Sequence, residues 1–286
     1  MPVPIVYLNG LFWPLDKAKV SILDRGFAYG DGLFETLRAY SKKIFGLDEH
    51  LDRLFKSAHL IFLELHMTRN EIKSAIYETL EINGLSDSII RITVTRGEQK
   101  SGINIDNESS PTVVIHARPT TTLPVLAYKN GVTISLFKNS APKIIGVSKQ
   151  IKSCSYLSQI LLREMALKEG SFEGIMLDNN SNVAEGTISN IFIVKANILK
   201  TPELNEFVLS GVTRKVVLEL AVSNNIPCKE LTISENDVYE ADEVFLTNTG
   251  IEVLPACYVN DHKIGDGKPG PLTKFLHKMF LKSFEE

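Results

Sequence analysis

The 286-residue chain is poor in several features that would each have signalled a class of protein. It has three cysteines, Cys154, Cys228 and Cys257, an odd number without the paired spacing of a zinc or iron–sulfur site. A disulfide framework and a metal centre are therefore not expected, and a reducing cytoplasm suits the thiols best. No apolar run approaches the roughly 20 residues that a membrane-spanning helix needs. The N-terminus, Met1-Pro2-Val3-Pro4-Ile5, lacks the basic and apolar regions of a secretory signal. Charge of one sign is not in excess either. The formal net charge is -3, which gives no electrostatic case for nucleic acid or an anionic membrane.

Common catalytic motifs are missing too. Gly26, Gly30 and Gly32 have the wrong spacing for a dinucleotide fingerprint, and no phosphate loop, H-E-x-x-H or G-x-S-x-G occurs. The six histidines are scattered, and each reads as structural rather than as a metal ligand.

What is present is an ordinary globular composition, 44% hydrophobic and 23% charged, in a chain long enough for one large or two modest domains. Asn9-Gly10 between two apolar runs predicts a hairpin, and Asn130-Gly131 predicts another. Asp48 is placed to cap a helix carrying Leu51, Leu54, Phe55, Ala58 and Phe62, and a second helix runs from about Asn70 to Asn83. Ile89–Thr95 and Thr112–Ala117 read as strands. The Pro/Thr-rich stretch after Arg118 suggests a linker over 119–126, dividing a small domain, 1–118, from a larger one, 127–286. In the second part Ser155–Lys168 reads as a strongly amphipathic helix presenting Leu157, Ile160, Leu161 and Met165. Strands follow at Gly174–Leu177 and Ile188–Val194, and a helix runs from Val212 to about Asn225. Ser234-Glu235-Asn236-Asp237 has the form of a capping box. Strands at Glu243–Thr247 and Glu252–Val259 precede a last helix from Pro271. Helices and strands interleave without regular β-α-β alternation, which is an α+β pattern.

Two residues stand out chemically. Lys152 lies just before the amphipathic helix; taken alone it reads first as a surface lysine, but a cation is poorly placed there for helix stability, and the helix field favours the free amine. Glu185 follows in a loop framed by apolar strands, so its carboxylate lies near a core and needs a cationic partner. A lysine amine to hold an aldehyde and a carboxylate to keep a ring nitrogen protonated are what pyridoxal phosphate chemistry requires. Arg53 borders the apolar face of its helix and can grip a phosphate with two hydrogen bonds, although a surface pair with Glu49 is the plainer reading. Ser210-Gly211-Val212-Thr213 opens a helix whose first amides can face an anion, or is simply a serine-capped start. Thr249-Gly250 at a strand end offers a further hydroxyl and amide.

Taken in chain order, Asp24-Arg25-Gly26-Phe27-Ala28-Tyr29-Gly30-Asp31-Gly32-Leu33-Phe34-Glu35, Glu49-His50-Leu51-Asp52-Arg53-Leu54, Lys152, Glu185-Gly186, Gly211-Val212-Thr213-Arg214, Ala241-Asp242-Glu243-Val244-Phe245 and Gly270-Pro271-Leu272-Thr273 resemble the class IV (fold-type IV) pyridoxal phosphate enzymes. That family includes branched-chain aminotransferases, D-amino acid aminotransferases and aminodeoxychorismate lyases. The resemblance implies a small N-terminal α/β domain and a larger domain built on a pseudo-barrel of mostly antiparallel strands. It implies a homodimer acting on amino and keto acids, with pyridoxal 5'-phosphate as cofactor. Lys152 would hold the cofactor and shuttle the proton. Glu185 would bind the pyridine nitrogen, and Tyr156 the ring hydroxyl. Arg53, the amides of Val212 and Thr213, and Thr249 would hold the phosphate. Tyr29, Phe34, Thr36, Arg91, Lys100, Asn248 and Gly250 would line the substrate pocket.

Within the family, Lys100 and Gly102 stand where D-amino acid enzymes carry an arginine and a histidine, and Arg91 matches an arginine of branched-chain enzymes. Thr36 and Asn248 match the lyases. The expectation is an aminotransferase of L-branched-chain type using 2-oxoglutarate, with the lyase and the D-amino acid enzyme as alternatives. A cofactor-binding protein that has lost catalysis stands as a remote one.

Overall fold

The computed structural model of the chain describes residues 3–99, 102–105, 110–138, 140 and 151–284. The chain divides into two compact units, Met1–Thr121 with Ile151–Tyr156, and Thr122–Gln150 with Leu157–Glu286.

The first unit contains β1 (Ile5–Leu8), β2 (Leu11–Pro14), α1 (Arg25–Tyr29), β3 (Gly32–Tyr40), β4 (Lys43–Ile44), α2 (Leu47–Leu60), α3 (Arg69–Ile82), β5 (Ser88–Thr95) and β6 (Thr112–Pro119). Its six strands form an antiparallel sheet in the order β2-β1-β6-β5-β3-β4. The first hairpin turns at Asn9 and Gly10, both at positive φ (50° and 90°), the conformations that Asn-Gly adopts most cheaply. Alternation along the strands sends Leu33, Leu37, Ile90, Ile92, Val94 and Ile115 into one core, where they meet Leu51, Leu54, Ile72 and Ile76 of the helices. Phe34, Thr36, Arg91 and Thr93 fall on the opposite face.

Two expectations about α2 need correction. Its N-cap is Gly46, at φ 55°, so Asp48 lies in the first turn. There its charge complements the helix dipole without capping. The apolar series ends at Ala58, and Phe62 lies beyond the helix, exposed and at φ 55°. The start of α3 is fixed by a full capping box between Thr68 and Glu71.

The second unit contains α4 (Val125–Asn130), β7 (Val132–Phe137), α5 (Leu157–Lys168), β8 (Glu173–Leu177), β9 (Val183–Gly186), β10 (Asn190–Lys195), β11 (Ile198–Pro202), α6 (Val212–Ser223), β12 (Cys228–Leu231), α7 (Glu235–Tyr239), β13 (Glu243–Asn248), β14 (Glu252–Val259), β15 (His262–Lys263) and α8 (Pro271–Lys282). The strand order is β12-β11-β10-β13-β14-β7-β8-β9, with β15 on β14. Three pairs are parallel, β11–β12, β14–β7 and β7–β8, and the others antiparallel. A bridge between Asn182 and Ser234, with Val183 N donating to Ile233 O at 2.8 Å, ties the start of β9 to the residues just after β12. The sheet thus curls back on itself as a pseudo-barrel around Ile134, Ile175, Ile191, Leu246 and Leu254.

Three readings of this half change. Asn130-Gly131 does not make a hairpin: Asn130 ends α4 and Gly131, at φ 76°, is its C-cap. A strand precedes Asn9-Gly10, whereas a helix precedes Gly131, and the dipeptide serves either setting because it tolerates positive φ. Helix α5 buries Leu162 and Ala166 and leaves Leu157, Ile160, Leu161 and Met165 exposed, so its larger apolar stripe faces outward. Glu185 is not in a loop; it sits on β9. The capping box at Ser234 and Asp237 is present as expected.

Ile151–Tyr156, read from the sequence as part of the second domain, groups with the first unit. β4 covers only the far end of β3, through Ala39 and Tyr40, and leaves the edge at Gly32–Phe34 for another strand. The segment fills it: Phe34 N donates to Lys152 O at 3.0 Å and Cys154 N to Gly32 O at 2.8 Å, with Leu33 opposite Ser153.

Candidate active site

The pairing of Leu33 with Ser153 decides where Lys152 points. Ser153 shares the core-side face with Leu33, so Lys152 and Cys154, one residue to either side, share the opposite face with Phe34. There the Phe34 ring, buried, gathers three candidate residues around it. The Arg91 guanidinium lies 3.8 Å from the ring centroid, the Lys152 amine 4.7 Å, and Tyr156 meets it edge-on at 5.2 Å. Arg91 is opposite the half-buried Thr36 in the register and donates to Thr93 Oγ1 at 3.3 Å. An aromatic face beside cations is attractive to both, and it also keeps water from that side of the amine. Tyr29, at the end of α1, is exposed, with the Arg25 guanidinium 5.1 Å over its ring. Lys100 lies outside the described residues; on its C-terminal side the carbonyls of Gly102 and Ile103 accept hydrogen bonds from Arg25.

Glu35 projects to the other face of β3, toward α2. Its carboxylate takes Arg53 in a two-pronged grip, Nε to Oε1 at 2.7 Å and Nη2 to Oε2 at 2.6 Å, and Oε2 also meets His50 Nδ1 at 2.8 Å. The sequence suggests Glu49 as the surface partner of Arg53; the structure shows an ion pair running inward to Glu35. Burial alone would raise the Glu35 carboxyl, but the charge and hydrogen bonds of Arg53, joined by His50, overcome it and hold the group down to about 2. Burial pushes His50 the other way, below its ordinary value, and the Arg53 and Lys152 charges add to this against the pull of Glu35. The sequence signal for this triad is an acid in an otherwise apolar strand, Leu33-Phe34-Glu35-Thr36-Leu37, on the side that faces the core.

In the second unit Glu185 is buried on β9. Its Oε2 accepts from Leu209 N at 2.7 Å and from Asn190 Nδ2 at 3.3 Å, and Asn190 Nδ2 also donates to Leu209 O at 3.0 Å. Leu209 leads directly into α6, so the carboxylate is tied to the start of that helix. The helix is not serine-capped. Its N-cap is Gly211, no side chain caps it, and no acid lies in its first turn. Its leading amides are therefore suited to an anion. A Cβ on Gly211 would stand 2.0 Å from Asn190 Oδ1, so any side chain there must push Asn190 aside.

Two buried hydroxyls fit a phosphate. Thr213 Oγ1, on the first turn of α6, and Thr247 Oγ1, on β13, have no hydrogen-bond partner among the described residues. A buried hydroxyl without a partner costs roughly 1–3 kcal/mol, which an anionic oxygen would recover. Thr213 is expected in this role; Thr247 is not, because in the sequence it is one more β-branched strand residue. Thr249 and Gly250 lie half-buried in the turn from β13 to β14. Asn248 serves that turn directly: its Oδ1 accepts from Gly250 N at 2.7 Å and Ile251 N at 2.8 Å, and its Nδ2 donates to Ile188 O at 3.0 Å.

No group of three His, Cys, Asp or Glu among the described residues is placed to hold a metal, and no described helix is long and apolar enough to cross a membrane.

Comparison with known proteins identifies the family of the chain. The family model for amino-transferase class IV matches residues 32–259. A Methanocaldococcus jannaschii protein named provisionally as a branched-chain-amino-acid aminotransferase is 37% identical over 96% of this chain and 94% of its own. The D-alanine aminotransferase of Bacillus licheniformis is 34% identical over 94% of this chain and 93% of its own. Among solved structures, the Escherichia coli branched-chain amino acid aminotransferase superposes with a TM-score of 0.95 at 29% identity, covering 99% of this chain and 95% of that one. The T.th. branched-chain amino acid aminotransferase complexed with N-(5'-phosphopyridoxyl)-L-glutamate gives a TM-score of 0.92 at 28% identity, covering 98% of this chain and 94% of that one.

Proposed function

The chain belongs to the class IV aminotransferases, and on that premise we propose that it moves an amino group from an L-branched-chain amino acid to 2-oxoglutarate, with pyridoxal 5'-phosphate as cofactor. Class IV aminotransferases are pyridoxal phosphate enzymes, and the neighbouring structures carry pyridoxal and pyridoxamine phosphate derivatives. The observation that carries the substrate reading is the stack of Arg91 on Phe34, on the face that also holds Lys152. A guanidinium fixed beside the reacting amine can grip a carboxylate, while the ring offers an apolar wall to an aliphatic side chain.

The hydroxyls of Thr213 and Thr247, unpartnered among the described residues, the amides at the start of α6 and the carboxylate of Glu185 fit the cofactor's phosphate and pyridine nitrogen. When bound, the cofactor supplies an electron sink for charge developing at the substrate Cα. Lys152 would hold the cofactor through its amine, and its Nζ, when free, would carry a proton to and from the substrate Cα. Glu185 keeps a proton on the pyridine nitrogen, supported by the two donors on its Oε2. Tyr156 is assigned to the ring hydroxyl. Arg53 and Thr249 join the phosphate ligands, with Glu35 and His50 fixing Arg53. Amino acid and keto acid use one site in turn, which gives ping-pong kinetics.

A homodimer completes this reading. The exposed apolar stripe of α5, with Leu157 at 69% and Leu161 at 57% exposure, suits a partner surface, and we assign the exposed Tyr29 to the same interface. The second substrate reading, a D-amino acid aminotransferase, is favoured by the Bacillus relative. The lyase reading loses force because Asn248, one of its two markers, has its amide engaged by the backbone of two turns. Supplying L-leucine with 2-oxoglutarate, D-alanine with 2-oxoglutarate, and aminodeoxychorismate separately decides among the three. Glutamate from the first mixture alone is expected; glutamate from the second alone, or pyruvate from the third alone, would overturn the assignment.

A further inference from the structure

One buried acid has no part in the proposed reaction. Glu173, the first residue of β8, is 0% exposed. Its Oε1 accepts from Gly174 N at 3.0 Å, from Thr187 N at 3.2 Å and from the Thr187 hydroxyl at close range; its Oε2 accepts from the Ser189 hydroxyl at 3.1 Å. The Arg163 guanidinium of α5 stands 3.4 Å from Oε1. Thr187 and Ser189 belong to the turn that joins β9 to β10, between Gly186, the neighbour of Glu185, and Asn190. The same turn is closed by Gly186 N to Ser189 O at 2.7 Å, and its middle carbonyl, that of Ile188, is held by Asn248. A Cβ on Gly186 would lie 2.3 Å from Ser189 Oγ, so the turn has no slack on that side.

We infer that Glu173 is a positioning residue for Glu185 and Asn190, fixing through Thr187 and Ser189 the turn that aims both side chains. This rests on the reading of Glu185 as the partner of the pyridine nitrogen. Burying a carboxylate is expensive, and a turn needs no acid merely to exist. What an acid adds is acceptor capacity with no donor of its own: it can satisfy two amides and two hydroxyls at once, and it fixes the direction of each. Glu185 then depends on it at second hand. Its Oε2 must meet both Leu209 N and Asn190 Nδ2, and Asn190 is the residue next to Ser189. Rotating the turn would swing Asn190 away from the carboxylate and let Glu185 leave its line to the ring nitrogen.

The test uses holoenzyme variants Glu173→Leu, Glu173→Gln and Ser189→Ala, with Glu185→Gln as the reference. Two things are measured: the visible absorbance of the bound cofactor across pH, and kcat and KM separately. Glu173→Leu is expected to shift the absorbance titration in the same direction as Glu185→Gln and to lower kcat about tenfold to a hundredfold with KM little changed, the scale of a small misplacement of a reacting group. Glu173→Gln keeps the Oε1 acceptor for both amides and is expected to recover most of both. Ser189→Ala, which removes one donor without touching the acid, should show a smaller shift in the same direction and keeps the test open if Glu173→Leu does not fold. If Glu185→Gln moves the absorbance while neither Glu173→Leu nor Ser189→Ala does, and these two lose only melting temperature, Glu173 is a structural acid and the inference falls alone. If Glu185→Gln leaves the absorbance unmoved, the underlying reading fails and takes this one with it.

Discussion

Glu35 shows how one residue can link stability to pH. Its carboxyl has a folded value near 2 against an ordinary 4.5, so the stability it contributes is complete above about 4.5 and is lost as pH falls toward 2. The size is on the order of 3 kcal/mol, at about 1.4 kcal/mol for each tenfold change in proton affinity. His50 acts in the same direction. Its folded value lies below the ordinary 6.5, so it too stabilises at higher pH and resists folding once acid forces a proton onto it. The melting temperature is therefore expected to hold steady above about pH 6.5 and to fall steadily below it, as followed by circular dichroism in a pH series. Glu35→Gln should start lower, because Arg53 loses its anion, and should then be less sensitive to pH in the range below 4.5. An unchanged acid slope in the variant would contradict this account. Lys152→Ala belongs to the same scale: turnover should fall by at least about a thousandfold while the melting curve stays near that of the parent, and retained turnover would remove the lysine from its assigned role. The sequence makes Lys152 and Glu185 visible because a cation before a helix and an acid among apolar strands are locally costly. It does not show that Arg53 pairs with Glu35, because that pairing joins a strand to a helix across 18 residues of chain.

At the scale of elements, short-range chemistry is legible and facing is not. The capping box at Ser234, the Asn9-Gly10 turn and the strands at β5, β6, β13 and β14 follow from residues adjacent in sequence. Asn130-Gly131 misleads because the same left-handed residue closes a hairpin or a helix, and only the element before it decides. Helix α5 misleads for a similar reason: periodicity finds an apolar stripe but does not say what covers it. β9 escapes the sequence because four residues give no period. Two substitutions probe these junctions. Gly131→Ala places a Cβ 2.2 Å from Cys257 Sγ at a positive φ, and a loss of about 1–3 kcal/mol is expected from the urea midpoint. Gly211→Ala forces Asn190 aside at the start of α6, and equilibrium titration should show cofactor affinity weakened by about tenfold or more, the cost of one or two lost polar contacts. Wild-type affinity there would mean that the close approach of Gly211 to Asn190 has no bearing on the phosphate.

At the scale of the whole molecule, the class IV assignment predicts a yellow protein, and the proposed dimer predicts a sedimenting species of roughly twice the 31.8 kDa of one chain. Replacing Leu157 and Leu161 with glutamate should shift that species toward the monomer and lower activity with it; an intact dimer would move the interface elsewhere. The α+β character and the existence of two units can be anticipated from interleaved patterns. The curl of the second sheet cannot, since it depends on Val183 meeting Ile233, a pairing between elements with three strands and a helix between them in the chain.

The strip Ile151–Tyr156 has a practical consequence. The backbone leaves the first unit at Thr121, comes back for six residues and departs again, so no single cut yields two whole halves. A gene split near position 121 would give one fragment with a bare ribbon edge at Gly32–Phe34, open to self-association, and another with the reactive amine on an internal loop that has lost its strand. Mixing the two fragments should restore colour only if that loop regains the edge at Gly32–Phe34, so recovery of activity from split halves would report on the docking of this one short ribbon.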